Sequence, residues 1–233
     1  MWFAEDSTDF ARCTINVTQE ARQCQLTVAV FTMSKLFFRY GAMNSGKSTA
    51  VLQVAHNYEE RDQAVVLLKS AVDTKGHDKI VSRLGVTRKA DQVLAKSDNL
   101  RDTVSTIRSQ RAADEPAIAC VLIDEAQFLT PEQVDQALEI AVLDHIPVLA
   151  FGIRTDFQTR AFPGSQRLME VAHSLQEMKT ICRCGQKAIF NARLGDNGIL
   201  REGEQVMIDG SEARYEALCA RCYLEGTASD SQS

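Results

Sequence analysis

Residues 35–49 read KLFFRYGAMNSGKST. An apolar run leads into G-x-x-x-x-G-K-S, and the residues beyond it favour a helix. A glycine-rich stretch between a strand and a helix can turn its backbone N–H groups onto phosphate oxygens, where the helix N-terminus adds its dipole. In that reading Gly41 and Gly46 permit the turn, Lys47 neutralises the β- and γ-phosphates, and the Ser48 hydroxyl reaches Mg²⁺. A merely glycine-rich turn leaves the Lys-Ser pair unexplained. Phosphate chemistry does not specify the intervening Ala42, Met43, Asn44 and Ser45.

Working outward, short apolar runs alternate with longer amphipathic segments, the rhythm of βαβ units and a largely parallel, buried sheet. Strands are expected at 35–40, 64–69, 118–123 and 147–152, and helices at 47–58, 100–111 and 131–143. Thr130 is the expected N-cap of the last helix, with Pro131 at its first position. The fold class is therefore α/β. The strand over 118–123 ends in Asp124 and Glu125. Alternation along a strand sends neighbouring side chains to opposite faces, so the two carboxylates are expected to take different roles. Asp124 suits a metal and its waters, and Glu125 a base acting on a hydroxyl or water.

From about residue 180 the texture changes to glycines, charges and paired cysteines. Cys182 and Cys184 (C-x-C) precede Cys219 and Cys222 (C-x-x-C), which reads as a structural site of four thiolates holding Zn²⁺; disulfides are the alternative. Cys120 lies within an apolar run and reads as a small core residue. The histidines, His56, His77, His145 and His173, lack ligand spacing and read as surface or packing residues. The 233 residues, 45% of them hydrophobic, suffice for one α/β domain and a small appended unit. A net charge of −5 without a basic stripe argues against a nucleic-acid partner, and no apolar run is long enough for a membrane helix. The segment 1–32 lacks periodicity and does not open like a secretory signal. It is expected to be disordered, or to belong to an over-long start assignment with Met33 as the functional first residue. The tail 226–233 is small, polar and expected to be disordered.

These constellations, in this order, resemble the zinc-containing thymidine kinases of bacteria and the animal cytosol. FRYGAMNSGKST (38–49), VDTKG (72–76), LIDEAQFL (122–129), GIRTDFQTRAF (152–162), CRCGQKAIFNARL (182–194), EGEQVMIDG (202–210) and ARYEALCARCY (213–223) carry the resemblance. It implies a RecA-like phosphate-loop domain over 33–178 and a small zinc-binding lasso domain over 179–225. It further implies transfer of the γ-phosphoryl group of ATP to the 5′-hydroxyl of thymidine, with deoxyuridine as a second substrate. Glu125 is then similar to the family's catalytic base. Gly41 through Ser48, Asp73, Lys75, Asp124, Glu125, Ala126 and Gln127 match positions around ATP and Mg²⁺. Lys75 departs from the arginine that relatives carry, which keeps the charge and loses the planar two-pronged contact.

At the nucleoside end the resemblance implies a lasso over 196–217 whose backbone reads the thymine edge, its two ends tied near the zinc. The matching contacts are Val206, Met207, Ile208, Asp209, Gly210 and Tyr215, with Phe128 and Phe157 as walls. Met43, with Ile153, Tyr215 and Asn191 as companions, is expected against the 5-methyl group of the base. A homotetramer, a cytoplasmic location and feedback inhibition by dTTP are further implications. Three other readings stand beside this one: a DNA-handling ATPase with a zinc ribbon, a kinase for another nucleoside, and a catalytically silent nucleotide-binding module.

Overall fold

The computed structural model describes residues 34–72, 78–195, 198–205 and 214–226. All belong to the compact unit Met33–Ser233. The expectations for 1–32, Met33, Asp73, Lys75, His77, 206–210 and the tail beyond Gly226 fall outside the described residues.

In chain order the elements are β1 Leu36–Tyr40, α1 Lys47–Glu59, β2 Ala64–Ser70, β3 Lys79–Val81, β4 Thr87–Lys89, β5 Gln92–Leu94 and α2 Leu100–Gln110. They continue with β6 Ile118–Asp124, a 3-10 turn Ala126–Phe128, α3 Pro131–Val142, β7 Val148–Gly152, α4 Pro163–Val171 and β8 Ser174–Glu177. The C-terminal part adds β9 Thr180–Ile181, β10 Lys187–Ala188, β11 Phe190–Gly195, β12 Gly198–Leu200, β13 Arg214–Leu218 and α5 Ala220–Glu225. Six strands form one parallel sheet in the order β5-β2-β6-β7-β1-β8. The inner strands β2, β6 and β7 are continuous apolar runs because both of their faces are covered. On one face lie Leu36, Phe38, Val66, Val121 and Ile123 with α2, α3 and α4; on the other, Leu67, Cys120, Leu122 and Phe151 pack under Val51 and Ala55 of α1.

The strands and helices expected from the pattern form where expected, to within a residue at their ends. Thr130 caps α3 in a reciprocal box: its side chain accepts from the Gln133 N–H at 3.2 Å, and the Gln133 side chain accepts from the Thr130 N–H at 3.1 Å. The short strands β3, β4, β5 and β8 and helix α4 carry too few apolar residues to announce themselves by period. Edge strand β8, for instance, is only Ser-Leu-Gln-Glu, yet it pairs with β1 from Phe37 to Tyr40.

Because all six strands run the same way, the chain leaves β1, β6 and β7 at one edge of the sheet. In open α/β sheets that edge is where ligands bind. A second, smaller sheet, β12-β11-β13, and the β9–β10 hairpin share a cluster formed by Cys182, Ala188, Ala192, Ala217, Leu218, Cys219, Cys222 and Tyr223. Ala42 of the 41–48 loop is part of that same cluster, so the loop is anchored on both sides.

Candidate active site

The 41–48 loop joins β1 to α1 through two left-handed residues, Asn44 (φ 66°) and Gly46 (φ 78°). A β-carbon at Gly41 would stand 2.5 Å from both the Met178 carbonyl oxygen and Ser45 Oγ, so only glycine fits there. Lys47 opens α1 and is buried; its Nζ donates to the Ala42 carbonyl at 2.8 Å and to Ser45 Oγ at 3.3 Å. Burial lowers the Lys47 pKa, and the negative charges of Glu125 and Asp124 oppose that drop.

Asp124 is the last residue of β6 and is 4% exposed. Burial, followed by the charge on Glu125, pushes its carboxyl well above the usual carboxylate range. Hydrogen bonds from the Glu125 N–H and the Ser48 side chain act the other way. The Glu125 N–H donates to Asp124 Oδ1 at 3.0 Å. Glu125 itself has left the strand with φ 52°. Glu125 thus turns out of the strand in a left-handed conformation, so the strand alternation expected from the sequence does not extend to it. Such a backbone conformation is unfavourable for glutamate and is held here by its surroundings.

Gln127 supplies much of that hold. It is 2% exposed; its Nε2 donates to Glu125 Oε2 at 2.5 Å while its Oε1 accepts from the Ile153 N–H at 3.2 Å. A β-carbon on Gly152 would come within 2.8 Å of that same Oε1. The side chain thus fills the gap between the ends of β6 and β7 and aims the Glu125 carboxylate. Ala126 is fully buried, and Phe128 is half-buried with its ring edge-on to Phe162 at 5.5 Å.

Asn191, on β11, reaches back to the loop: its Oδ1 accepts from the Met43 N–H at 2.7 Å, and its Nδ2 donates to the Thr155 carbonyl at 2.8 Å. Those two partners fix the orientation of the amide. Met43 is half-buried, whereas Ile153 and Phe157 are buried. Tyr215, on β13 and opposite Arg193 of β11, is half-buried. Hydrogen bonds thus join Met43 to Asn191 and Thr155 in one group, and Asp124, Glu125, Gln127 and Ile153 in another.

Sequence reasoning passed over Arg193 and Asp156. Arg193 is 2% exposed, with its guanidinium 3.7 Å from the centre of the Phe157 ring. Asp156, 3% exposed, accepts from the Gln158 and Arg160 N–H groups through Oδ1 and from Gln205 Nε2 through Oδ2. One signal was available for Arg193: it stands two residues from Asn191, and side chains at i and i+2 share a face of a strand.

The four cysteine sulfurs of Cys182, Cys184, Cys219 and Cys222 lie within 4.8 Å of one another, a group that could hold a metal ion. Two turns bring them together. After β9 the Gly185 N–H donates to the Cys182 carbonyl, with Gly185 at φ 82°, and Cys219 caps α5 by accepting from the Cys222 N–H at 3.4 Å. Cys120 stands apart in the core, its thiol pushed up to about 12 by burial. The described histidines serve structure: His173 Nδ1 accepts from the Leu36 N–H, His56 pairs with Glu60 at the surface, and His145 turns the chain into β7 with φ 57°.

A family model described as thymidine kinase matches residues 34–223. The thymidine kinase of Chromobacterium violaceum is 49% identical over 193 residues, covering 82% of this chain and 98% of that protein. That of Idiomarina loihiensis is 47% identical over 195 residues, covering 83% and 97%, and that of Rhizobium meliloti 44% identical over 191 residues, covering 81% and 95%. With the phosphate-type loop, the paired acids and the four-cysteine cluster all inside the matched region, the chain belongs to the thymidine kinase family.

Proposed function

We propose that the protein transfers the γ-phosphoryl group of ATP to the 5′-hydroxyl of thymidine, giving thymidine monophosphate, and accepts deoxyuridine as a second substrate. The observation that carries this reading is the left-handed turn at Glu125. There the Glu125 carboxylate is held by Gln127, while the neighbouring buried Asp124 carboxylate is bonded to Ser48, beside the Lys47 loop. A kinase needs both functions, a base for the attacking hydroxyl and an acid for the metal.

The backbone of Gly41 to Ser48 cradles the phosphates and Lys47 offers its charge to them, with Asp73, Lys75, Ala126 and Gln127 completing the surround. Ser48 and Asp124 would hold Mg²⁺, which neutralises charge on the β- and γ-phosphates when bound. The fit is good, because a carboxylate that burial holds above its usual range gains most from a nearby cation. Glu125 accepts the 5′-hydroxyl proton as that oxygen bonds to the γ-phosphorus and the bond to the β,γ-bridging oxygen breaks, releasing ADP. Little covalent chemistry falls to the protein, so positioning and charge supply most of the rate.

Zn²⁺ suits the four thiolates. A tetrahedron with Zn–S bonds of about 2.3 Å has S···S edges of roughly 3.8 Å, and all four sulfurs already lie within 4.8 Å of each other. Held there, the metal fixes both ends of 185–218 and lowers the entropy that segment must lose over a substrate. Val206 to Gly210, Tyr215, Phe128, Phe157, Ile153, Met43 and Asn191 form the nucleoside site of this reading. Among the described residues no helix is long and apolar enough to cross a membrane. Family membership further supports a cytoplasmic homotetramer inhibited by dTTP.

The test is purified protein with Mg-ATP and a panel of nucleosides, scored for monophosphate product. Thymidine monophosphate supports the proposal; ATP hydrolysis stimulated by DNA, with no nucleoside product, overturns it. Two variants probe the details. Met43→Ala should raise the KM for thymidine more than that for deoxyuridine, since only thymidine carries the 5-methyl group that Met43 would contact. Asn191→Ala should cost about 1–2 kcal/mol in chemical denaturation, by leaving the Met43 N–H and the Thr155 carbonyl unpaired. It should also raise the KM for ATP by loosening the loop; unchanged stability and unchanged KM would refute that role.

A further inference from the structure

Arg193 is a buried cation with an unusual set of partners. Its Nε donates to the Tyr215 hydroxyl at 2.8 Å and its Nη2 to the Glu204 carbonyl at 3.0 Å, while the guanidinium carbon stands over the Phe157 ring, 3.7 Å from its centre. The Tyr215 ring is 5.3 Å away. Among the described residues no carboxylate pairs with it. Burying an arginine against rings and a carbonyl, at 2% exposure, is an expensive way to stabilise a small three-stranded sheet, and an apolar side chain would do that more cheaply.

What this arrangement does supply is direction. A phenol has one proton to give. With Arg193 Nε donating to the Tyr215 oxygen, the Tyr215 proton must be given to something else. Tyr215 is only half-buried, so that proton can reach a bound molecule. The second contact, to Glu204, pins the turn in which Gly203 adopts φ 127° and whose neighbours are tied by Gln158 Nε2 to the Arg201 and Gly203 carbonyls, and by Gln205 to Asp156. One side chain thus orients a hydrogen-bond donor and holds the start of the segment that precedes 206.

We propose that Arg193 is a positioning residue for the nucleoside: it presents Tyr215 as a hydrogen-bond donor to an acceptor oxygen of the nucleoside, and it fixes the 201–205 turn beside the same site. This rests on the thymidine kinase reading above. The hydrogen bonds of Arg193 go to Tyr215 and Glu204, whereas Asn191, its neighbour on the same strand face, bonds to the phosphate loop.

The experiment compares the metal-loaded wild type with Arg193→Met, Arg193→Lys, Tyr215→Phe and the Arg193→Met/Tyr215→Phe double variant. Each is measured for kcat and for KM toward thymidine and toward ATP. Arg193→Met should raise the thymidine KM by about tenfold or more, as expected when a bound polar contact is lost, with the ATP KM within about threefold. Arg193→Lys keeps charge and most of the stem, and loses the paired donors, so it should fold and still show the same split. Tyr215→Phe should add little in the double variant, because Arg193→Met already disables the donor that Tyr215→Phe removes. Equal rises in both KM values, an unchanged thymidine KM in Arg193→Lys, or additive effects in the double variant would overturn the proposal. If the wild type fails to phosphorylate thymidine at all, the function reading falls and takes this one with it. A wild type that is active and variants without the split would overturn only the role of Arg193.

Discussion

Glu125→Gln should lower kcat by on the order of 10²-fold or more, the range for loss of a general base, and leave both KM values nearly unchanged. The substitution is unusually clean in this setting. Glutamine has the same length, can occupy the left-handed turn at φ 52° at no greater cost, and retains an oxygen to accept from Gln127 Nε2. It also removes a negative charge from beside Asp124, whose carboxyl that charge helps hold above its usual range, and from beside Lys47, whose protonation it supports. The two effects oppose each other, so thermal stability is expected to change little. The decisive measurement is single-turnover phosphorylation of thymidine at saturating ATP. Near-normal turnover would show that another group takes the proton.

Cys219→Ser should have the second largest effect. Removing one of four thiolates is expected to lower metal affinity by more than about 100-fold, given that even residues outside the ligand shell cost 10- to 100-fold. From sequence alone, nucleoside affinity is expected to fall before ATP affinity does, because the metal would clip the base of the 196–217 segment. The fold adds a physical route by which ATP is affected as well. Ala42 of the phosphate loop packs in one cluster with Cys182, Cys219 and Cys222, the Thr180 hydroxyl donates to the Asn44 carbonyl at 3.4 Å, and Asn191 holds the Met43 N–H. Loss of the metal should raise the thymidine KM first and most, and the ATP KM measurably as well. Metal analysis together with the two KM values checks this. A variant that binds no metal yet keeps both KM values would show the cluster to be dispensable.

Much of the site could be read directly because its chemistry is local in the chain. The loop 41–48, the acids that end β6 and the two cysteine pairs each depend on spacing over a few residues, and spacing is what a sequence displays. Buried parallel strands are similarly legible as unbroken apolar runs. The partners of Gln127, Asp156 and Arg193 are not: the resemblance names Gln127 as a site residue, but a polar residue in an otherwise ordinary stretch gives no sign of which distant segments will meet it. Gln127 meets Ile153, Asp156 meets Gln205, and Arg193 meets Phe157, Glu204 and Tyr215, all across gaps that only folding closes.

The sequence by itself determined the α/β class, the phosphate-type loop, the acidic pair and the four-cysteine group, since each follows from residue type at short range. Only the tertiary structure decided how those parts bear on one another. Glu125 leaves its strand in a left-handed turn, Gln127 aims its carboxylate, and β11 sends Asn191 to the loop and Arg193 to Tyr215. The physical reason is that buried polar groups must find partners wherever the packed chain puts them, and that choice is made by the whole fold.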